Sequence, residues 1–598
     1  MKTSVISTKK SRFLILTEDL LTWKFDRPVL FQGEWVKKLI FEPFLHKLDY
    51  EVLHQANNES QNKEKDIELV KSIEEKYFNI LVENLNQING TNHGLRFWKI
   101  LIGHWFRRYI SLMINRYNTI YNILNNYNIS GVVFYPENLN ILITKNSHDF
   151  ILASKDNDWN LQIYLLILKY INYKKDIKID FINKANDNSE LLHEKKNESI
   201  AYLKKDRGFL NILFNKVLKY LDSNSSIFIL NSYLSFKIDI FIQLYFWKIP
   251  QIRKSSVNIE LPSCNLQYRS ELKKKYYINS DVVLEEVIIN SIFDFIPICY
   301  LEGFISLKDR MKDLKWPTKP NFIFTSNSFD TDELFKIYTA LNVERGIKYV
   351  VGQHGNNYGT NKFYGLTIEQ ETADKFITWG WKNNYNNCIP GFIFKNNYKS
   401  IKRNNNEKII LILNCQDHAI YTHDTNNEFY FYLIFQNNFL KNLYFNVQNN
   451  IIVRLHAGSA IHNWNEEKIF SKINPNIIFE KGGSSIYNLS ESCKLVIHGY
   501  DSTGILETLS ANIPSIAFWQ DGFDHLNESA IPFYRILYDA GIIFFDSNKA
   551  ANMVNDIFEN IDNWWQETEV QNARALFCEN YARISKNPVN DLKNILKD

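Results

Sequence analysis

The stretch from Lys494 to Trp519, KLVIHGYDSTGILETLSANIPSIAFW, limits the fold of this chain more than any other, because it reads as strand, tight turn, helix and strand in succession. Lys494 to His498 is a short β-rich run that stops at Gly499. Asp501-Ser502-Thr503-Gly504 then offers capping oxygens and a close backbone approach before helical spacing resumes from Ile505 to Ala511. Asn512-Ile513-Pro514 ends that helix, and Ser515 to Trp519 returns as a buried strand. A helix starting at the carboxyl edge of a parallel sheet aims free N–H groups and the positive end of its dipole outward, an arrangement suited to holding phosphate. Ser502 and Thr503 are therefore candidate phosphate contacts. Glu507, about one helical turn further on, either reaches ribose hydroxyls beside such a phosphate or lies on a solvated helix face.

The same alternation runs through the rest of the chain. Arg12 to Thr17, Pro28 to Phe31, Ile129 to Tyr135 and Ser226 to Ser232 read as strands, and Leu161 to Tyr173 as a helix. Gln55 to Asp66 reads as a polar separator and Asn183 to Arg207 as a surface loop or exposed helix. From Leu95 to Leu124 the residues Trp98, Leu101, Trp105, Tyr109, Leu112 and Ile120 recur at helical steps, with Lys99, Arg107 and Arg108 interspersed. That face packs on a core or rests on an anionic bilayer surface, and the core reading is preferred.

Strand Asn321 to Thr325, helix Asp332 to Arg345 and strand Ile347 to Val351 deliver Gly352-Gln353-His354-Gly355, and Phe376 to Trp381 is a further strand end. His354 thus stands at the carboxyl end of a strand, flanked by glycines that leave room beside its imidazole. It is either a histidine hydrogen-bonded in a loop or a functional one, and its position favours function. After a polar linker at Lys395 to Lys408, strand Lys408 to Asn414, a helix at Glu428 to Asn442 and strand Ile451 to Leu455 follow, with Arg454 and His456 bracketing the last strand end. Gly482-Gly483-Ser484-Ser485 precedes a helix through Leu489, and Ala550 to Trp565 and Val570 to Ile584 read as helices.

Alternating strands and helices predict α/β architecture with parallel sheets, and 598 residues exceed one compact core. The expected division is an acceptor-side Rossmann-like domain over 1–400 with helical insertions, a nucleotide-binding Rossmann-like domain over 401–570, and a helical tail over 571–598. With 69 basic against 66 acidic residues there is no electrostatic footprint for nucleic acid. The six cysteines lie far apart with no CxxC pair, which excludes a zinc knuckle or disulfide framework and fits a reducing compartment. The apolar run FLIL near the start is too short for a signal h-region, so a cytoplasmic protein is expected, with any contact at the inner face of the membrane peripheral.

The segments Thr325 to Gly359 (TSNSFDTDELFKIYTALNVERGIKYVVGQHGNNYG), Thr378 to Trp381 (TWGW) and HGYDSTGILETLSANIPSIAFW, with LFQGEW and FWKILIGHWFRRY, resemble a family of bacterial transferases from O-antigen and surface-polysaccharide loci. The wider similarity is to GT-B glycosyltransferases that take sialic-acid-like or Kdo-like sugars from CMP donors. It implies a GT-B-like fold, two Rossmann-like domains facing across a cleft, and a lipopolysaccharide or capsule glycan, or its lipid-linked precursor, as acceptor. Carried over residue by residue, His456, Ser502 and Thr503 match phosphate positions, Glu507 a ribose contact, and His354 the histidine-glycine motif at the cleft. His354 is then the candidate base, and Arg454 with His456 would stabilise the leaving phosphate. Ala457 and Asn356 depart from the pattern, where proline and a second glycine are expected, and these departures bear on donor identity.

No Asp-x-Asp pair makes a compelling metal site, and Asp521-Gly522-Phe523-Asp524 has the wrong spacing for that motif, so neither a metal nor a cofactor beyond the donor is expected. A retaining double displacement would need a carboxylate nucleophile, for which Glu34, Asp330 and Asp501 are candidates. A CDP-polyol phosphotransferase of similar layout and a noncatalytic glycan-assembly protein are the alternative functions.

Overall fold

The computed structural model describes residues 10–53, 60–171, 177–183, 227–246, 259–314, 316–395, 407–415, 429–483, 488–489 and 492–597. The start of the Gln55 to Asp66 separator, Asn183 to Arg207 beyond its first residue, most of the Lys395 to Lys408 linker, Glu428 and Ser484-Ser485 lie outside the described residues.

Three sheets, each parallel throughout, organise what is described. The first holds β1 (Arg12–Ile15), β2 (Val29–Phe31), β3 (Tyr50–Val52), β4 (Ile129–Phe134) and β5 (Lys178–Phe181) in the order β3-β2-β1-β4-β5. The second holds β6 (Phe228–Leu230), β7 (Phe322–Thr325), β8 (Lys348–Gly352), β9 (Lys375–Thr378) and β10 (Cys388–Pro390), ordered in sequence from β10 to β6. The third holds β11 (Ile409–Ile412), β12 (Ile451–Arg454), β13 (Ile478–Glu480), β14 (Leu495–His498), β15 (Ser515–Phe518) and β16 (Ile543–Phe544) in the order β13-β12-β11-β14-β15-β16. The first and third sheets reverse direction beside β1 and β11, as doubly wound Rossmann-type sheets do, and such a reversal opens a crevice at the strands' carboxyl ends. In the third sheet that crevice lies beyond β11 and β14. Central strands such as β11 and β15 are buried at every residue, as expected of a sheet covered on both faces.

The α/β, Rossmann-type reading of the sequence therefore stands, with a sheet more than expected: the first 400 residues carry two sheets rather than one. Strand-and-helix alternation shows that sheets are parallel but not which strands share one. A single core also stops growing well below this length.

The helix Leu95–Asn126 is core, as its periodicity predicts. Trp98, Leu101, Trp105, Tyr109 and Leu112 are fully buried, and it packs against helices Ser60–Asn89, Asn157–Tyr170 and Glu333–Glu344. Gly103 permits one close approach: a Cβ there would lie 3.1 Å from the Ile368 side chain. The helix Ile368–Thr372, started by a Thr367–Gln370 capping box, is thus drawn against the face that carries His104.

Two expectations are corrected. The polar separator is already helix from Ser60. The Ala550 to Trp565 run is two helices, Ser547–Ile557 and Ile561–Trp565, because Asn560 leaves the helical region (φ −132°, ψ 37°). Beyond helix Thr568–Tyr581, helix Pro588–Lys597 within the expected helical tail returns to the second sheet. Its Leu592 and Leu596 join Phe322, Val350 and Ile377, and Lys375 Nζ donates to the Ile595 carbonyl at 2.7 Å. No helix among the described residues is long and apolar enough to cross a membrane.

Candidate active site

The loop after β8 is fixed by one amide. Gln353 Oε1 accepts from Trp379 N (2.9 Å) and Trp381 Nε1 (2.8 Å), while its Nε2 donates to the Gly355 carbonyl (2.8 Å). His354 next to it is only partly covered, with Nδ1 3.1 Å from Tyr358 Oη and the rings of Phe329 and Tyr233 at 5.7 and 6.2 Å. Burial, and then the charge of Lys395, pull the imidazole down to about 4, against the opposing pull of Asp330.

This loop then docks on the turn after β14. Asn356 N donates to Thr503 Oγ1 (2.9 Å) and Asn356 Nδ2 donates to Asp501 Oδ1 (2.8 Å). A Cβ on Gly355 would stand 2.9 Å from Thr503 Oγ1, so the backbone must be bare there. Asp501 also accepts from Tyr534 Oη (3.1 Å) and faces His525 Nε2 at 3.0 Å. Asn527 N donates to the Thr360 carbonyl at 2.7 Å, extending the contact. Asn356, standing where a second glycine is expected, is thus the residue whose side chain reaches across to Asp501.

The other predicted residues divide. Ser502 caps helix Thr503–Ser510: its Oγ accepts from Ile505 N (3.3 Å) and lies 3.4 Å from the buried His498 Nδ1. Thr503 turns its hydroxyl to Asn356. Glu507 lies 3.7 Å from Lys395 Nζ, and burial raises its carboxyl while Lys395 opposes the rise. Arg454 Nε pairs with Glu480 Oε2 at 3.0 Å, and its charge also reaches Glu507 and Tyr500. His456 is exposed, its Nδ1 accepting from Gly458 N at 3.1 Å. The structure therefore gathers His354, Thr503 and Glu507, sets Ser502 beneath them as a cap and Arg454 at one remove, and leaves His456 to the side.

Of the carboxylates weighed as nucleophiles, Asp330 is gripped by both terminal nitrogens of Arg108 (3.0 to 3.2 Å), Asp501 belongs to the docking contact, and Glu34 opens a short helix in the first-sheet unit. Sequence reasoning missed Lys395, whose Nζ lies 4.9 Å above the Tyr233 ring and so joins Tyr233, His354 and Glu507. It also missed Tyr233, held with Asn231 in left-handed backbone (φ 60° and 50°). Lys395 was hidden at the edge of an apparent linker. The HGNNY spacing, four residues from His354 to Tyr358, is the signal that would have revealed the imidazole's partner.

The model of one family, described as LIC12162 family transferase, matches residues 12–596. The chain belongs to the LIC12162 family of transferases. No curated protein matches it. Among solved structures it is similar to Anabaena Alr3699/HepE in complex with UDP and glucose, at 13% identity over 51% of this chain and 87% of that one, with a TM-score of 0.31. It is also similar to Acinetobacter baumannii MurG, at 14% identity over 49% and 76% of the two chains and a TM-score of 0.29. WaaG, a glycosyltransferase involved in lipopolysaccharide biosynthesis, matches at 10% identity over 62% and 98%, with a TM-score of 0.29.

The histidines of this LIC12162 family transferase predict an acid-sensitive fold. Burial holds His354 at about 4 and both His104 and His498 at about 3, against 6.5 for an ordinary histidine. The unfolded chain therefore binds more protons than the folded one below about pH 6.5, so this part of the stability is complete above that value. It is lost as pH falls towards 4 and then 3, by up to about 1.4 kcal/mol per pH unit for each histidine. Urea midpoints measured from pH 8 to 4 should fall most steeply below 6.5, and His498→Gln should flatten the slope.

Proposed function

We propose that this LIC12162 family transferase is a glycosyltransferase that moves a sugar from a nucleotide-activated donor to a surface-polysaccharide or lipid-linked glycan acceptor. The donor is a CMP-linked acidic sugar of the nonulosonic or Kdo-like kind, and the reaction proceeds on the cytoplasmic side of the membrane in a GT-B-like cleft without a metal.

The observation that carries the reading is the hydrogen bond from Asn356 N to Thr503 Oγ1. It sets an imidazole from one parallel sheet beside the N-terminus of a helix from another, at carboxyl strand ends. Glycosyl transfer asks for a base at the acceptor hydroxyl and for positive potential at the departing phosphate. His354, unprotonated at neutral pH, supplies the first. Lys395, Arg454 and the N-terminal end of helix Thr503–Ser510 supply the second, and Glu507 is available to ribose hydroxyls.

The test is product analysis by mass spectrometry after incubation with a CMP-linked sugar and a lipid-linked glycan acceptor. A new glycosidic bond supports the proposal. A phosphodiester formed from a CDP-polyol would replace it with polyol-phosphate transfer, and glycan binding without turnover would replace it with an assembly role.

A further inference from the structure

Behind His354 lies a buried polar chain that the reading above leaves unused. Tyr358 Oη meets His354 Nδ1 on one side and donates a short hydrogen bond to Glu369 Oε1 on the other. Glu369 is 3% exposed, and its second oxygen stands 3.5 Å from His104 Nε2. The His104 ring stacks on Phe329 at 5.3 Å, and Phe329 in turn borders His354 at 5.7 Å. His104 Nδ1 faces Asp330 at 4.0 Å, and Asp330 is already matched by Arg108. Among the described residues no lysine or arginine pairs with Glu369; the neutral groups Tyr358, Thr367 and His104 stand against its carboxylate, and the charge of Asp330 also reaches it.

A tyrosine hydroxyl has one proton to give. With that proton committed to Glu369, Tyr358 Oη can only accept from His354, which puts the imidazole proton on Nδ1. No described residue hydrogen-bonds His354 Nε2. We infer that Tyr358 and Glu369 are positioning residues for His354: together they hold it as the Nδ1–H tautomer, leave the Nε2 lone pair for an acceptor hydroxyl, and supply the counter-charge for the imidazolium that forms.

The inference rests on His354 being the base of the proposed transfer. In that step the acceptor O–H bond breaks, its proton goes to Nε2, and its electron pair goes to the new glycosidic bond while the donor phosphate leaves. The Nδ1 proton stays on nitrogen, bound to Tyr358 Oη. Glu369 keeps the charge that stabilises the cation. His104, held at about 3 by burial, stays neutral beside Glu369 and does not quench it. Burial raises the Glu369 carboxyl against the hydrogen bond from Tyr358, so the charge is stored at a cost that an imidazolium relieves.

The test reads the tautomer without reading transfer. Full-length protein labelled with ¹⁵N-histidine is observed at neutral pH, the His354 ring being assigned by its loss in His354→Gln. The expected spectrum has a pyrrole-type Nδ1 and a pyridine-type Nε2, and Tyr358→Phe converts it to a mixture or to the Nε2–H form. An Nε2–H tautomer in the wild type, or an unchanged tautomer in Tyr358→Phe, overturns the inference. Should Tyr358→Phe fail to fold, the wild-type spectrum still decides.

Glu369→Gln is the second arm. It keeps an acceptor for Tyr358 but removes the charge, so kcat should fall on the order of 10²-fold with KM unchanged. The acid limb of the pH profile should move lower, since the groups left facing His354 are Lys395, Asp330, Tyr233 and Tyr358. An unmoved limb contradicts the counter-charge role. A correct tautomer in a protein that transfers no sugar would overturn the proposed function and leave the positioning intact.

Discussion

Replacing His354 by alanine is expected to lower kcat for transfer by roughly 10²- to 10⁴-fold, the range a positioned general base contributes, while nucleotide binding persists. The separation follows from where the groups stand. His354 belongs to the loop after β8, whereas Thr503, Glu507 and Arg454 belong to the third sheet and its helix. Side-chain truncation at His354 leaves Gln353 holding the loop through Trp379 and Trp381, so the docking contact should survive. Kinetics with saturating donor, together with nucleotide-induced thermal shifts, check both halves. Unchanged turnover in the variant would remove His354 from the chemistry, and loss of nucleotide binding would mean that the loop is a scaffold rather than a catalytic element.

The second large effect is on stability. Asp501→Ala should cost about 3–5 kcal/mol, the range for removing one partner from a buried charged network. Asp501 has a side chain only 8% exposed, and it takes hydrogen bonds from Asn356 of the second-sheet unit and Tyr534 of the third while facing His525. Without it the Asn356 amide and the Tyr534 hydroxyl lose their acceptor in a place water does not reach. Urea unfolding followed by tryptophan fluorescence is the measurement. Asp501→Asn, which keeps an acceptor, should recover part of the loss. A cost below about 1 kcal/mol, the worth of a surface pair, would show that the two units are held by other contacts.

Much of this arrangement was legible in the sequence because its parts are local. Strand ends at Gly352, Arg454 and His498, each within one residue of where the sequence puts it, the Asp501-Ser502-Thr503 turn and the buried face of Leu95 to Leu124 all follow from short-range periodicity and capping. What could not be read is whatever depends on contacts across hundreds of residues. Two sheets in the first 400 residues give the same alternation as one. Ser502 looks like a phosphate ligand in isolation, yet its hydroxyl serves the helix start and His498, a partner seen only when β14 folds beside it. Lys395 resembled one more charge in a polar linker until the second sheet brought it over Tyr233. The pairing of His104 with Glu369 spans 265 positions of sequence and depends on Gly103 letting two helices close.

In the proposed transfer, the His354 loop and the helix at Thr503 enclose a site for a nucleotide-activated donor. Comparing CMP, CDP, UDP and GDP by thermal shift on the full-length protein tests it most directly, because a ligand bound only by the native state raises apparent stability. Stabilisation by CMP above the other three, abolished in Glu507→Ala or Lys395→Ala, is the predicted result. Silence from all four nucleotides, or a shift indifferent to both substitutions, would contradict it.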